Sequence, residues 1–353
     1  MIRVDGSAGE GGGQVLRSAL TLSMLTGQAT EVYNIRAGRP QPGLRPQHLA
    51  AVVAAAAICD AEVQGAELEQ QAIRFAPGGP ARPGSYTFDV AEIAGQGSAG
   101  AIGLLLQTVL LPLALAGAPS QLTLRGGTHV PWAPSVDYIE RVFMPAAARM
   151  GIRAQIELVK WGFYPAGGGE ARVDIQAGTT SLQPLQLAER GPLQRVVVRG
   201  VAANLPSHIP QRMVNRARNL LQAQGLPVDL QPLRVRSAGP GATTAVWAEY
   251  EQGIAGFSAY GRKGLASEHV AAAACDEFLA HHHSGAPLDP YLADQLVLPL
   301  ALATGTSHLV TSAISRHLLT NLAVVQAFVP LQARVTGELG QPGTVVITRS
   351  THD

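Results

Sequence analysis

Apolar residues at helical spacing are interspersed along this chain with short runs in which apolar and polar residues alternate, and this pattern predicts a mixed α/β fold. One apolar helix face spans residues 15–25, and alternation over residues 31–35 predicts a strand. The order helix, strand, helix, strand, strand recurs from Leu104 and again from Asp294. We therefore predict three copies of one unit, each too small to bury its own apolar face and so packed against the others.

A segment between the second and third copies fits none of them. Its pattern predicts a strand at 193–201, a helix at 209–224, strands at 228–235, 243–250 and 254–260, and a helix at 267–283. Because the repeat resumes afterwards, the segment is an insertion, with joints rich in proline and glycine at 183–191 and 285–290. The predicted domains are a repeat domain of residues 1–184 and 285–353, and a smaller inserted α/β domain of four strands and two helices at 185–284.

Several boundaries follow from the same pattern. Glycines at 27, 117, 151 and 305 come after apolar runs and predict helix ends in left-handed geometry. We also expect a strand over 62–68, a helix over 136–150 and a single helix over 296–303.

Composition narrows the compartment and the class of protein. The chain has 353 residues, of which 46% are hydrophobic and 14% charged, which allows a large core and suggests two domains or one domain with an insert. The net charge of +1 means that any nucleic-acid site must be a local basic cluster. Cys59 and Cys275 lie in alanine-rich helical runs without metal-ligand spacing, and no basic-then-apolar leader opens the chain, so we expect buried thiols in a cytoplasmic protein. The longest apolar runs are too short or too interrupted to span a bilayer.

The stretch Ser315–Asn321 contains the strongest candidate for chemistry. His317 precedes an apolar helical run, so its ring would stand at a helix N-terminus, where backbone N–H groups favour phosphate oxygens. Imidazole is largely neutral at pH 7 and can accept a phosphoryl group on a ring nitrogen. The alternative is a histidine that only caps or packs.

Two other segments have features of phosphate sites. Glu10 lies in a glycine-rich turn that lacks the Gly-Lys-Ser/Thr of a Walker loop, and a carboxylate beside polyphosphate is expected to hold a divalent metal. The alternative is a plain tight turn. Arg36, Arg39 and Arg45 share one proline-stiffened loop, where guanidinium groups could hold phosphates or be solvated.

Three further motifs have competing interpretations. Asp294 either caps a helix or joins Tyr291 and Gln295 in a nucleoside pocket, with the tyrosine stacked on a base. The histidine triplet at 281–283 is expected to be a solvated helix end and not a metal site, because adjacent helical residues point in different directions. The glycine-rich stretch 161–169 predicts a hairpin or a wall of the active-site cleft.

Taken together, these segments resemble the RNA 3′-terminal phosphate cyclase family. The stretches that match, in the family's order, are Asp5–Ser18, Ile35–His48, Gly162–Gly169, Tyr291–Pro299 and Arg316–Val325. The resemblance implies a domain of three repeats, each with a four-stranded sheet and two helices, plus a smaller inserted α/β domain. It also implies ATP-dependent conversion of an RNA 3′-phosphate end to a 2′,3′-cyclic phosphodiester through histidine–AMP and RNA-adenylate intermediates.

The resemblance also implies residue roles. His317 would be the adenylylated nucleophile, and Glu10 would bind Mg²⁺ or Mn²⁺. The expected ATP contacts are Gln107, Tyr291, Leu292, Ala293, Asp294 and Gln295, and the expected contacts to the phosphorylated RNA end are Arg36, Arg39, Arg45 and Gln47. The segment 126–131 departs from the family pattern, in which an Asp-Asn pair can precede the proline, so the contacts of this loop stay open.

Two alternatives compete with the cyclase. One is a transferase that acts on a small phosphorylated metabolite, as the enolpyruvyl transferases do. The other is a non-catalytic RNA- or ribosome-binding protein, as in the branch of the family that lacks the histidine. The presence of His317 favours the catalytic branch.

Overall fold

Four four-stranded sheets organise the chain in the computed structural model, which describes residues 1–95, 97–178 and 181–350. The first sheet has the order β1-β2-β4-β3. Its strands are β1 (Ile2–Asp5), β2 (Thr30–Tyr33), β3 (Glu62–Gln64) and β4 (Ile73–Ala76), and its helices are α1 (Gly13–Thr26) and α2 (Pro46–Cys59). β1 pairs parallel to β2, and the other two pairings are antiparallel.

The second sheet repeats this arrangement, in the order β5-β6-β8-β7 with the parallel pair first. Its strands are β5 (Ser85–Asp89), β6 (Ser120–Gly126), β7 (Ala154–Lys160) and β8 (Gly169–Ile175). The helices are α3 (Val90–Ile93), α4 (Ile102–Ala114), and a helix formed by α5 (Val136–Tyr138), a π-helical turn (Ile139–Phe143) and α6 (Met144–Ala148).

The other two sheets are interleaved in sequence. After β9 (Gln186–Leu187) come β10 (Leu193–Ala203), α7 (His208–Gln222), β11 (Asp229–Val235), β12 (Gly241–Tyr250), β13 (Ile254–Tyr260) and α8 (Ser267–Ser284), with sheet order β11-β10-β12-β13. The chain continues with α9 (Pro290–Gln295), α10 (Val297–Leu302), β14 (Gly305–Thr311), α11 (Arg316–Phe328), β15 (Gln332–Thr336) and β16 (Gly343–Arg349). The strand β9 pairs parallel to β14, which gives the order β15-β16-β14-β9.

The apolar core has two main parts. The larger cluster joins residues of the first, second and last sheets with their helices. A smaller cluster, centred on Val198, Met213, Phe257 and Phe278, lies between the β10–β13 sheet and the helices α7 and α8. Cys59 and Cys275 are free and buried, as predicted. In the described part of the chain, no helix combines the length and apolarity needed to cross a membrane.

The mixed α/β prediction is confirmed, but several boundaries were wrong. Gly27 does follow α1 in left-handed geometry, with φ of 68°. The glycines at 117, 151 and 305 also have positive φ, yet α4, α6 and α10 end three residues earlier, so Gly117 and Gly151 lie in the turns that follow the helices and Gly305 begins β14. The helix predicted over 296–303 is confirmed as α10 to within one residue at each end, with α9 directly before it, whereas the strand predicted over 62–68 ends at Gln64 because Gly65 turns the chain at φ of 79°.

Candidate active site

His317 lies in the first turn of α11, where the capping residue Ser315 accepts a hydrogen bond from the Leu318 amide at 3.0 Å. Its side chain is 47% exposed and faces a cavity of about 560 Å³. Burial lowers the pKa of His317; the Asp294 carboxylate acts in the opposite direction, while the charges of Arg17 and Arg39 lower it further. The ring is therefore neutral at pH 7, the form in which a nitrogen lone pair can attack phosphorus.

The glycine-rich turn before α1 packs directly against this helix. The Glu10 amide donates to Thr320 Oγ1 at 3.0 Å, and Gly9 has φ of 61°. A Cβ on Gly9 would overlap Thr320 Oγ1, so only glycine permits this close approach. The approach places Glu10 Oε1 3.7 Å from His317 Nε2.

Glu10 is the side chain best placed for a divalent cation. Its Oε2 atom is buried and accepts no hydrogen bond within the described residues, while Oε1 pairs with Arg39. Residues 1–95, 97–178 and 181–350 contain no cluster of three His, Cys, Asp or Glu side chains arranged to hold a metal. One carboxylate with water and phosphate oxygens is how Mg²⁺ is commonly bound beside a nucleotide, so Glu10 fits such an ion.

A buried polar network lies one helical turn beyond His317. Asn321 is fully buried; its amide nitrogen donates to the Asp294 carboxylate, and its oxygen accepts from Ser18 Oγ at 2.5 Å and from Gln14 Nε2 at 3.1 Å. Burial raises the pKa of Asp294 to about 6, although the nearby His317 and the bond from Asn321 act in the opposite direction. The network ties α1, α9 and α11 together at the cavity.

Asp294 does not cap α9. That position belongs to Asp289, whose carboxylate accepts from the amides of Tyr291 at 2.9 Å and Leu292 at 2.8 Å. The capping interpretation of Asp294 is therefore wrong, and its side chain lines the cavity instead.

The cavity collects four of the six residues expected at ATP. Gln107, Tyr291, Asp294 and Gln295 line it with His317, whereas Leu292 and Ala293 are buried in α9 and do not. The side-chain oxygens of Gln107 and Gln295 and the Nε of Arg17 are buried without a partner in the described chain. Unpaired buried polar atoms are costly, and here they belong to side chains that line a space that a polar ligand could fill.

Sequence reasoning missed much of the cavity wall. It also includes residues before and within α5 and along β13, namely Pro131, Trp132, Ala133, Pro134, Ser135, Tyr138, Gly256, Phe257, Ser258, Ala259 and Tyr260. These residues are far from His317 in sequence and belong to no motif, so only the packing of β13 against the loop before α5 brings them together. One signal was available: the loop has five consecutive apolar or proline residues, 130–134, between His129 and Ser135.

The three arginines of the proline-stiffened loop, Arg36, Arg39 and Arg45, differ in their contacts. Arg39 donates to the Glu10 backbone oxygen at 3.0 Å and pairs with its carboxylate. Arg36 donates to the carbonyls of Gln41 and Gly43 in its own loop, at 2.7 and 3.2 Å. Arg45 precedes α2, lies 3.5 Å from Glu69 and is followed by Gln47 in the first helical turn. The structure thus brings Arg39 to the glycine-rich turn, while Arg36 stabilises the loop.

The two remaining motifs have different outcomes. Residues 161–168 connect the antiparallel strands β7 and β8, so the hairpin prediction is confirmed. The triplet 281–283 does end α8, but His281 is 2% exposed with its ring 5.6 Å from Phe257, so the solvated interpretation is wrong for this residue. Burial lowers the pKa of His281 to about 3.

Comparison with known proteins gives consistent matches. A profile of the family described as RNA 3′-terminal phosphate cyclase matches residues 8–335. The RNA 3′-terminal phosphate cyclase of Trichormus variabilis is 53% identical over 93% of this chain and 94% of its own length. The proteins of the same name from Methylococcus capsulatus and Salmonella agona are 50% and 45% identical, over 98% and 94% of this chain and 96% and 93% of their own lengths. Among solved structures, the enolpyruvyl transferase NikO from Streptomyces tendae aligns with 51% of this chain and 33% of its own chain at 15% identity. The TM-score of 0.29 is too low to indicate a shared fold.

Proposed function

This chain belongs to the RNA 3′-terminal phosphate cyclase family, and we propose that the cavity beside His317 binds ATP for the conversion of an RNA 3′-phosphate end to a 2′,3′-cyclic phosphodiester. The observation that carries the proposal is a neutral imidazole at a helix N-terminus, facing a cavity with unpaired buried polar atoms. A nucleotide would supply partners for those atoms. The phosphates would lie towards the N-terminus of α11, and Tyr291 would stack on the base.

The first step is attack of a His317 ring nitrogen on the α-phosphorus of ATP. An N–P bond forms, the bond from that phosphorus to the pyrophosphate oxygen breaks, and pyrophosphate leaves. When bound at Glu10, a divalent cation would offset the negative charge of the phosphates. Arg17 and the N-terminal amides of α11 provide fixed positive potential beside the transferred group.

The second and third steps transfer the adenylate and close the ring. An oxygen of the RNA 3′-phosphate attacks the phosphorus on His317, which breaks the N–P bond, frees the imidazole and gives an RNA-adenylate. The neighbouring 2′-hydroxyl then attacks the 3′-phosphorus, loses its proton and expels AMP. Because this closure is intramolecular, holding the ribose in place supplies much of the acceleration, and DNA, which lacks the 2′-hydroxyl, cannot react.

Arg39 is our candidate for binding the RNA phosphate. Its guanidinium contacts Glu10, the residue closest to His317 on the glycine-rich turn, and a cation at Glu10 would release it to a phosphate oxygen. Arg45 and Gln47, at the start of α2, are weaker candidates, and Arg36 acts by holding the loop through its carbonyl contacts.

We also propose three repeats and one insertion. In support, three sheets share one pairing scheme, in which the first strand is parallel to the second and the third strand lies at the edge beyond the fourth. The β10–β13 sheet has a different order, second-first-third-fourth. Since β9 pairs with β14, the repeat domain comprises residues 1–187 and 285–353, and the inserted domain, predicted from residue 185, starts after Leu187. For the whole protein, the two free buried thiols favour the reducing cytosol as the compartment.

The test is covalent labelling. Purified protein incubated with ATP labelled on the α-phosphate and Mg²⁺ or Mn²⁺ should carry acid-labile AMP, and His317→Ala should lose the label while keeping its circular dichroism. RNA with a 3′-phosphate should become resistant to phosphatase in the same mixture. A metabolite transferase would form no protein–AMP, so the absence of label in the parent protein would reject the proposal.

A further inference from the structure

The mouth of the nucleotide cavity is bordered by loops that contain no carboxylate. Counted with the adjoining residues of the helices and strands that they connect, these loops cover residues 127–136, 161–169, 204–211, 236–242 and 259–267. The nearest acids after them are neutralised: Asp137 is paired with Arg199 at 2.6 Å, Glu170 accepts from Arg125 at 3.0 Å, and Glu268 accepts from Arg212 at 2.6 and 2.9 Å. In a chain whose charges nearly balance, this leaves a local surface on which cations are unopposed.

The loops form one continuous border. His129 stacks on Trp161 with ring centroids 4.4 Å apart, which joins the loop before α5 to the β7–β8 hairpin. Trp161 also forms a bridge with Ser237, which joins that hairpin to the loop after β11. In the β10–β13 sheet, Ala203 pairs with Val235 and Gly241, and Thr243 pairs with Tyr260. One terminus of each of the four strands therefore lies at the same end of the sheet.

Five exposed side chains on this border form what we call the rim: Trp132, Tyr164, Arg236, Arg262 and Lys263. Trp132 is 96% exposed and Tyr164 is 67% exposed, although large aromatic side chains are usually buried. The three cations form no ion pair within the described residues. Arg236 follows β11 and Arg262 follows β13, the two outer strands of this sheet. Since adjacent strands are about 4.8 Å apart, the two residues are roughly 14 Å apart across the end of the sheet.

We propose that the rim binds the single-stranded segment of the RNA substrate that precedes its 3′-terminal phosphate; this inference rests on the proposed function. Exposed aromatic faces stack on unpaired bases of any sequence, and cations along the same path neutralise the backbone phosphates. The rim is continuous with the cavity, because Trp132 and Tyr260 line that cavity and Arg262 follows Tyr260 by two residues. The inserted segment, from β10 to α8, thereby contributes to RNA binding as well as to the nucleotide pocket.

The experiment compares long and short substrates. Tyr164→Ala and the double charge reversal Arg262→Glu/Lys263→Glu are made, with Arg218→Glu as the matched control. Arg218 is exposed on α7, about 15 Å along that helix from the sheet edge. For a ten-nucleotide RNA with a 3′-phosphate, both rim variants should raise KM at least about fivefold, the lower bound of base–aromatic stacking. For a dinucleotide with a 3′-phosphate, KM should change less than about twofold, because this substrate does not reach the rim.

Two further readouts separate binding from damage. Formation of protein–AMP from ATP alone should be unchanged in the rim variants, since Tyr164, Arg262 and Lys263 do not line the cavity. The double reversal should also reduce the salt dependence of RNA affinity, by about 1.4 in the slope of log K against log salt for two lost phosphate contacts.

Unchanged KM for the long RNA, equal effects on both lengths, or the same effect from Arg218→Glu would each overturn the inference and leave the rim to a protein partner. If instead the parent protein forms no protein–AMP and no cyclic end, it is the proposed function that fails.

Discussion

The strongest stability prediction concerns Arg199, a residue of β10 whose side chain contacts Asp137 in α5. Its Nη1 donates to Asp137 Oδ1 at 2.6 Å, its Nε donates to Gln231 Oε1 at 2.9 Å, and its guanidinium lies 5.1 Å from the centre of the Trp247 ring. The side chains are 14% and 2% exposed for Arg199 and Asp137. Arg199→Met keeps most of the packing but leaves Asp137 buried with only His129, 3.4 Å away.

The magnitude follows from burial. Removing one partner of a buried ion pair costs about 3–5 kcal/mol, whereas an exposed pair contributes about 0–1 kcal/mol. The same strand offers a matched control: Arg195 contacts Asp229 at 2.7 Å, but the two side chains are 50% and 57% exposed. In urea unfolding followed by circular dichroism, Arg199→Met should be several kcal/mol less stable than the parent protein, and Arg195→Met should be within about 1 kcal/mol of it.

The pH dependence gives the same prediction a second test. Burial alone would raise the pKa of Asp137, but its contacts with His129 and Arg199 outweigh burial and lower that pKa. A lowered folded-state pKa contributes stability that is present above the unfolded value of about 4 and is lost as pH falls below it. The difference in free energy of unfolding between the parent protein and Arg199→Met should therefore become smaller in acid. If the two arginine variants are equally stable at neutral pH, the buried pair does not secure the inserted segment.

Three other predictions concern the site. Protein–AMP formation should fall to half its maximal rate only below pH 6.5, the ordinary pKa of histidine, because the pKa of His317 is lowered; a rate already halved at pH 7 would contradict this. Glu10→Gln should raise the Mg²⁺ concentration for half-maximal labelling about 10–100-fold, measured by metal titration, and an unchanged midpoint would remove Glu10 from the metal site. Asn321→Leu should destabilise the protein by about 1–3 kcal/mol or more in thermal unfolding, because it leaves the Asp294 carboxylate unpaired, whereas the exposed Asn219→Leu should not.

Periodicity predicted the inserted segment well because its elements are long and uninterrupted. The strands predicted at 243–250 and 254–260 are observed at Gly241–Tyr250 and Ile254–Tyr260. By contrast, β5 and β9 were missed. The strand β9 has two residues, and the five of β5 follow the sequence Pro-Ala-Arg-Pro-Gly at 80–84, so neither shows alternation over enough positions to differ from a loop. Only their pairing with β6 and β14 makes them strands.

The features of the site that depend on a single segment were predictable from the sequence, whereas contacts between distant segments were not. The helix start at His317 and the tight turn at Glu10 are local features, and sequence alone brings out both. That Gly9 lets the turn touch Thr320 is not a local property, since these residues are some 310 positions apart. The same holds for Asn321, whose place in the last matched stretch gave no sign that it pairs with Asp294.

What the pattern cannot convey is which polar atoms stay without partners. Gln107 and Gln295 lie in apolar helical surroundings, where a sequence pattern predicts only that buried amides find hydrogen bonds. In the folded chain their oxygens are buried and unpaired in side chains that line one cavity, and Glu10 Oε2 is buried and unpaired in the carboxylate beside His317. Each such atom costs the folded protein about 1–3 kcal/mol, and a bound molecule that pairs with these atoms would offset that cost. Function is thus indicated here by polar atoms that folding leaves unsatisfied, a property of the packed structure that is absent from any single segment.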